Sequence, residues 1–107
     1  MKRALVVVDV QNEYFSGLLP ITYPHGHFTN ILRVMDAAVA SDIPLVVVQH
    51  TFPQPDKPFF QRGTPEWALH PEVQARSHNL FIEKNLPGSF TGTALEPWLR
   101  QQAIDTV

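Results

Sequence analysis

Six residues able to bind ligands or move protons fall at or just after three apolar runs: Asp9, Gln11, Gln49, His50, Glu83 and Lys84. Asp9 follows Ala4-Leu5-Val6-Val7-Val8, so its carboxylate leaves that run beside apolar neighbours, a setting that suits proton transfer. The competing use of the same carboxylate is to bind the backbone amides of the next turn. Lys84 follows Leu80-Phe81-Ile82. Its ammonium, held near Asp9, would support the carboxylate charge or balance negative charge developing on a substrate; without Asp9 it reads as a solvated loop lysine. His50 closes the middle run, where it is free to hydrogen-bond a ligand, transfer a proton or bind metal, or to be satisfied by loop backbone.

The remaining chemistry is less directed. His25, His27, His70 and His78 sit in loop-like sequence, with neither a His-x-x-x-His helix nor a Cys/His zinc spacing, so no metal is expected. Gly88-Ser89-Phe90-Thr91-Gly92-Thr93 has the glycines and hydroxyls of an anion-binding turn but no Walker lysine and no Gly-x-Gly-x-x-Gly, which makes helix capping the better account. Tyr14, Phe15, Phe52, Phe59, Phe60 and Trp67 lie in or near the same loops, as pocket lining or as loop packing.

Regular elements must hold these groups in place. Unbroken β-branched runs at 4–8 and 45–48 predict strands buried on both faces of a parallel sheet, and Leu80-Phe81-Ile82 predicts a third. Between the first two, Ile31, Leu32, Met35, Ala38 and Val39 recur at helical spacing, with Thr29 or Asn30 as N-cap and Ser41-Asp42 ahead of the Pro44 stop. Five prolines between Thr51 and Ser77 exclude long elements there and predict a binding or lid loop. Thr93-x-x-Glu96 is a capping-box signature for a helix using Leu95, Trp98, Leu99 and Ile104, and Ala103 to Val107 reads as the approach to a fourth strand. The order β-α-β-loop-β-α-(β) predicts an α/β fold, a doubly wound, Rossmann-like three-layer α/β/α parallel sheet whose ligands bind at the carboxyl ends of the strands.

Composition narrows the class. The 107 residues are 44% hydrophobic and 17% charged, with a net charge of -2 and no cysteine, which fits one small domain without disulfides, cysteine-bound metal or a thiol of its own. Eight basic residues against ten acidic ones, with no basic run, argue against a nucleic-acid partner, and acidic or membrane-surface partners are equally unsupported. Asp9 ends the first apolar run well short of a secretory signal, so the expected compartment is the cytoplasm.

Four segments, in order, resemble the isochorismatase-like cysteine hydrolases, which include nicotinamidases and N-carbamoyl amidohydrolases. They are Leu5-Val6-Val7-Val8-Asp9-Val10-Gln11-Asn12, then Val46-Val47-Val48-Gln49-His50, then Glu66 to Val73 with Leu69-His70-Pro71-Glu72, and finally Ile82-Glu83-Lys84 with Ser89-Phe90-Thr91-Gly92-Thr93. The resemblance implies that Asp9 and Lys84 match the family's catalytic aspartate and lysine. It further implies a cysteine nucleophile after the fourth strand, which this sequence does not contain. In that family the aspartate takes the thiol proton, the thiolate attacks a carbonyl or related carbon, and backbone amides hold the oxyanion. Tyr14 matches a pocket aromatic and Gln11 a nearby polar residue with a structural or orienting role, so Gln11, Tyr14 and His50 are the substrate-contact candidates. Gln49-His50-Thr51-Phe52 stands where relatives of nicotinamidase carry Asp-x-His, and neither metal nor other cofactor is expected.

On this reading residues 1–107 are the N-terminal part of one such domain, covering about the first three strands, with strand four due on the free edge of strand one. A 107-residue fragment of this kind is expected to be unstable and inactive alone, and the intact protein to be a homo-oligomer. Three functions compete: a cysteine hydrolase of a small amide or carbamoyl C–N bond, a truncated binding module, and acid-driven vinyl-ether hydrolysis that needs no thiol.

Overall fold

A computed structural model describes every residue from Met1 to Val107. Three parallel strands, β1 (Leu5–Val8), β2 (Leu45–His50) and β3 (Leu80–Lys84), form one sheet in the order β1-β2-β3. Leu5 pairs with Leu45, and His50 with Lys84. β2 and β3 each run two residues past their apolar stretches, carrying Gln49-His50 and Glu83-Lys84 inside the sheet rather than in the loops after it. All six residues of β2 are buried, as a central strand requires; β1 is not buried on both faces, because it lies at the edge of the sheet and leaves Val8 exposed.

Side chains alternating along β2 feed two cores. Leu45 and Val47 join Val7, Met35, Ala38 and Val73 on one face, under α1 (His27–Ala40) and the one-turn α2 (Pro71–Gln74). Val46 and Val48 join Ala4, Ile82, Leu95 and Leu99 on the other, under α3 (Leu95–Gln101). This is the expected three-layer α/β/α arrangement. No helix is long and apolar enough to cross a membrane.

The helix ends depart from the sequence reading. α1 opens two or three residues before Thr29 and Asn30, behind Gly26, whose φ of 81° suits a residue without Cβ; the Asn30 amide donates to Gly26 O at 3.1 Å. It closes in a Schellman turn with Asp42 at φ 55°, the Ile43 amide reaching Ala38 O at 2.8 Å and the Asp42 amide Val39 O at 3.2 Å. At α3 the expected capping box does not form: Ala94, not Thr93, is the N-cap, Thr93 Oγ1 accepts from the Leu95 amide at 3.3 Å rather than from that of Glu96, and the Glu96 side chain binds Arg100 one turn on. Pro97 falls in the first turn of α3, where its missing N–H costs nothing.

Beyond α3 the chain returns to the free side of β1. Leu5 N donates to Pro44 O, towards β2, while Ala4 N, facing the other way, donates to Thr106 O at 3.0 Å in a parallel Arg3–Thr106 bridge. This single bridge lies at the amino end of β1, on the side away from β2.

Candidate active site

The carboxyl ends of the strands enclose a pocket of about 230 Å3 lined by Asp9, Tyr14, His50, Phe60, Lys84 and Pro87. Asp9 and Lys84 are not on neighbouring strands, since β2 separates β1 from β3. Lys84 instead reaches past the end of β2, placing Nζ 3.3 Å from Asp9 Oδ2 and donating to Pro87 O at 2.7 Å. Its side chain is 2% exposed and that of Asp9 23%. One carboxylate oxygen is thus taken, while Asp9 Oδ1 is buried without a hydrogen-bond partner in the protein.

Backbone geometry sets that orientation. Asp9 has φ 61°, a left-handed conformation that short polar residues tolerate best, and Phe60 across the pocket has φ 56°. Such conformations carry strain of about 1–3 kcal/mol each and cluster at ligand sites. Because β1 turns away at Asp9, the ladder to β2 breaks there. Val48 O still accepts from the Asp9 amide at 3.0 Å, but His50, which faces the same way two residues on, has no residue of β1 beside it and pairs only with Lys84 of β3 on its other side. The Gln11 side chain takes that place: Oε1 accepts from His50 N at 2.8 Å, and Nε2 donates to His50 O at 2.9 Å and to Trp67 O at 2.7 Å. Fully buried and with both amide hydrogens engaged, Gln11 does not line the pocket, unlike the substrate contact expected of it. Its geometry is that of the orienting residue implied by the resemblance.

The His50 ring stands edge-on to Phe52 and Phe60 at centroid distances of 4.6 and 5.2 Å. Burial, and then the Lys84 charge, hold its pKa below the ordinary imidazole value against the opposing pull of Asp9. Tyr14, tilted against Phe60 at 5.5 Å, has its phenol pKa raised by burial first and then by Asp9 and Glu13. The pocket therefore offers a neutral imidazole, a protonated phenol, and a carboxylate–ammonium pair. Nowhere in the chain do three His, Asp or Glu side chains converge as metal ligands would.

Other nominated residues are used elsewhere. Gln49 Nε2 donates to Trp67 O at 3.1 Å, and Glu83 pairs with Arg62 outside the pocket. Phe15 and His70 join Phe28 and His27 over α1, where His70 Nδ1 caps α2 by accepting from the Glu72 amide at 3.1 Å. Pro87 escaped the sequence reading; the turn-forming Asn85-Leu86-Pro87-Gly88 after the lysine was the available signal. A separate apolar groove of about 360 Å3 follows β1 beneath Ile31 and Val34; it is lined in part by His27 and carries none of the strand-end groups.

Comparison with known proteins agrees with this geometry. The isochorismatase domain model matches residues 3–107. The chain is 48% identical to a crystal structure from Burkholderia xenovorans LB400, named provisionally as an isochorismatase, with a TM-score of 0.90, covering 96% of this chain and 50% of that one. It is 30% identical to N-carbamoylsarcosine amidase from Thermoplasma acidophilum, with a TM-score of 0.86 over 100% of this chain and 65% of the other. Among curated relatives it is 29% identical over 105 residues to an uncharacterized isochorismatase family protein of Bacillus subtilis (strain 168), covering 97% of this chain and 58% of that protein. A secreted isochorismatase effector of Verticillium dahliae is 31% identical over 97 residues, 91% of this chain and 50% of its own length. The chain thus spans about half the length of the curated relatives it matches. On the sheet order, the strand-end pocket and this match over residues 3–107, the chain belongs to the isochorismatase family.

Proposed function

We propose that the protein hydrolyses a small amide or carbamoyl C–N bond, with Asp9 as proton acceptor and donor and Lys84 as its fixed counter-charge. The observation that carries this reading is the division of labour on one carboxylate: Lys84 engages Oδ2, while buried Oδ1 has no protein partner. A base needs one oxygen positioned and the other free. The 30% identity to N-carbamoylsarcosine amidase supports the bond type.

These residues supply the acid–base half of the chemistry. The nucleophile implied by the family resemblance is a thiol, and the chain has no cysteine, so it enters the site from outside these 107 residues. Asp9 Oδ1 accepts the thiol proton, and the thiolate adds to the carbonyl carbon. On collapse the C–N bond breaks, and the departing nitrogen takes the proton back from Asp9. Water then adds to the thioester, giving its proton to Asp9, and the acid leaves as the thiol is restored. Lys84 holds Asp9 in position throughout and balances negative charge that develops on the substrate. Tyr14 and His50 contact the substrate, and Gln11 positions His50.

The test is turnover of N-carbamoyl compounds, nicotinamide and isochorismate by the full-length protein and its Asp9→Ala and Lys84→Ala variants, with folding checked by circular dichroism. Amide or carbamoyl hydrolysis is expected to fall at least about a hundredfold in each variant. Full activity in either folded variant, or turnover of the vinyl ether alone, would overturn the proposal.

A further inference from the structure

Across the whole chain two buried side-chain polar atoms lack a hydrogen-bond partner, Asp9 Oδ1 and His50 Nδ1, and both residues line the same 230 Å3 pocket. The proposed reaction uses the first and leaves the second unexplained. A buried polar atom without a partner is destabilising, so a ring held that way calls for a reason.

The holding is thorough. Both main-chain groups of His50 are clamped by the Gln11 amide, at 2.8 and 2.9 Å. Phe52 and Phe60 meet the ring edge-on, and the residue is 5% exposed. Its neighbour Thr51 is fully engaged: Thr51 N donates to Lys84 O at 2.9 Å, and Thr51 Oγ1 accepts from Trp67 Nε1 at 2.7 Å. A ring held this firmly, in a residue that lines the strand-end pocket and with a nitrogen that the protein leaves unpaired, is organised in advance for a contact that the protein itself does not make.

We propose that His50 is the specificity-determining residue of this site, its Nδ1 forming a hydrogen bond to an uncharged polar group of the ligand, such as a carboxamide, next to the atom that Asp9 serves. The inference rests on the reading of the pocket as the substrate site and adds what it selects. The charged and titratable groups around the ring are Asp9 at the end of β1, Lys84 at the end of β3 and Tyr14 between β1 and α1; the loop after β2 presents only Phe52 and Phe60. Asp9 and Lys84 pair with one another, so the site has no net counter-charge to offset the desolvation of a charged ligand group, whereas an uncharged polar group needs none. With its pKa held down by burial and Lys84, the ring is uncharged at neutral pH and keeps one lone pair and one N–H to offer.

Benzamide and toluene test this in the full chain uniformly labelled with 15N: both have a ring for the Tyr14 and Phe60 walls, and only benzamide carries the amide. Benzamide is expected to move the His50 Nδ1 resonance and toluene to leave it in place. His50→Phe, which keeps the edge-on packing, is expected to weaken benzamide about tenfold or more and to leave toluene unchanged. His50→Asn, which returns a polar atom near the Nδ1 position, should restore most of the loss. If His50→Phe binds benzamide as tightly as the parent while Tyr14 and Lys84 still respond to it, the role of His50 is wrong and the pocket reading stands. If neither probe perturbs Tyr14, Lys84 or His50, both fall together.

Discussion

Replacing Gln11 by leucine removes the amide that stands in for a missing strand while keeping a side chain of similar size. Three main-chain groups lose its hydrogen bonds: His50 N–H, His50 C=O and Trp67 C=O. The Trp67 carbonyl still accepts from Gln49 Nε2 at 3.1 Å, so two groups are left buried without partners. At about 1–3 kcal/mol each, Gln11→Leu should destabilise by about 2–6 kcal/mol, a large part of the roughly 5–15 kcal/mol typical of a domain. Gln11→Glu should be at least as destabilising as Gln11→Leu, because its carboxylate can accept from His50 N but sets a buried charge against the carbonyls of His50 and Trp67. Urea unfolding followed by circular dichroism at pH 7 gives all three values. A Gln11→Leu midpoint matching that of the parent, with an unchanged slope, would mean that water reaches the end of β2 and that the clamp is not a structural necessity.

Further expectations follow from the same geometry. Asp9→Asn should destabilise more than Lys84→Met, because it strands a lysine that is 2% exposed, whereas the carboxylate left by the second change is 23% exposed and open to hydration; equal or reversed losses in urea unfolding would contradict the buried pair. Gly17→Ala would bring a Cβ to 2.5 Å from Glu13 Oε1 and 2.6 Å from Glu13 Cα, so a loss of about 1–3 kcal/mol is expected, read in the same titration. His50 and His70 are both held below the ordinary imidazole value of 6.5, burial being the first cause in each. The unfolded chain therefore takes up protons at these residues before the folded one, so stability present above pH 6.5 is lost as the pH falls below it. The midpoint at pH 5.5 should lie below that at pH 7.5, and His70→Asn, which keeps a capping side chain, should flatten the slope; an identical midpoint at both pH values would count against the two buried neutral rings.

Much of this organisation was legible in residue order. Uninterrupted valine runs can be satisfied only by strands covered on both faces, or by an edge that a further strand approaches, and the runs at 4–8 and 45–48 became β1 and β2 on that ground. Asp9 and Lys84 were legible as chemistry because each ends such a run and because of the family resemblance. What escaped depends on the third dimension. Gln11 looks like any polar residue after a strand, and its function as a clamp exists only because β1 bends away at Asp9 while β2 continues. The start of α1 was misplaced because apolar periodicity is weak at His27, where Gly26 supplies the turn geometry instead of a capping side chain. Glu83 and Lys84 are adjacent in sequence, and only the pleat sends one to Arg62 and the other to Asp9.

The complete burial of β2 also has a kinetic side. Amide hydrogens exchange with solvent where a segment opens, and the rarest openings belong to central, doubly covered strands. Val46 to His50 should thus be among the last amides to exchange in deuterated buffer, long after the proline-rich loop from 53 to 65. His50 is carried by this slow segment and Phe60 by the loop, so the pocket can open and admit a ligand by local motion of one wall. The imidazole keeps its place meanwhile, because displacing it would require the sheet itself to come apart.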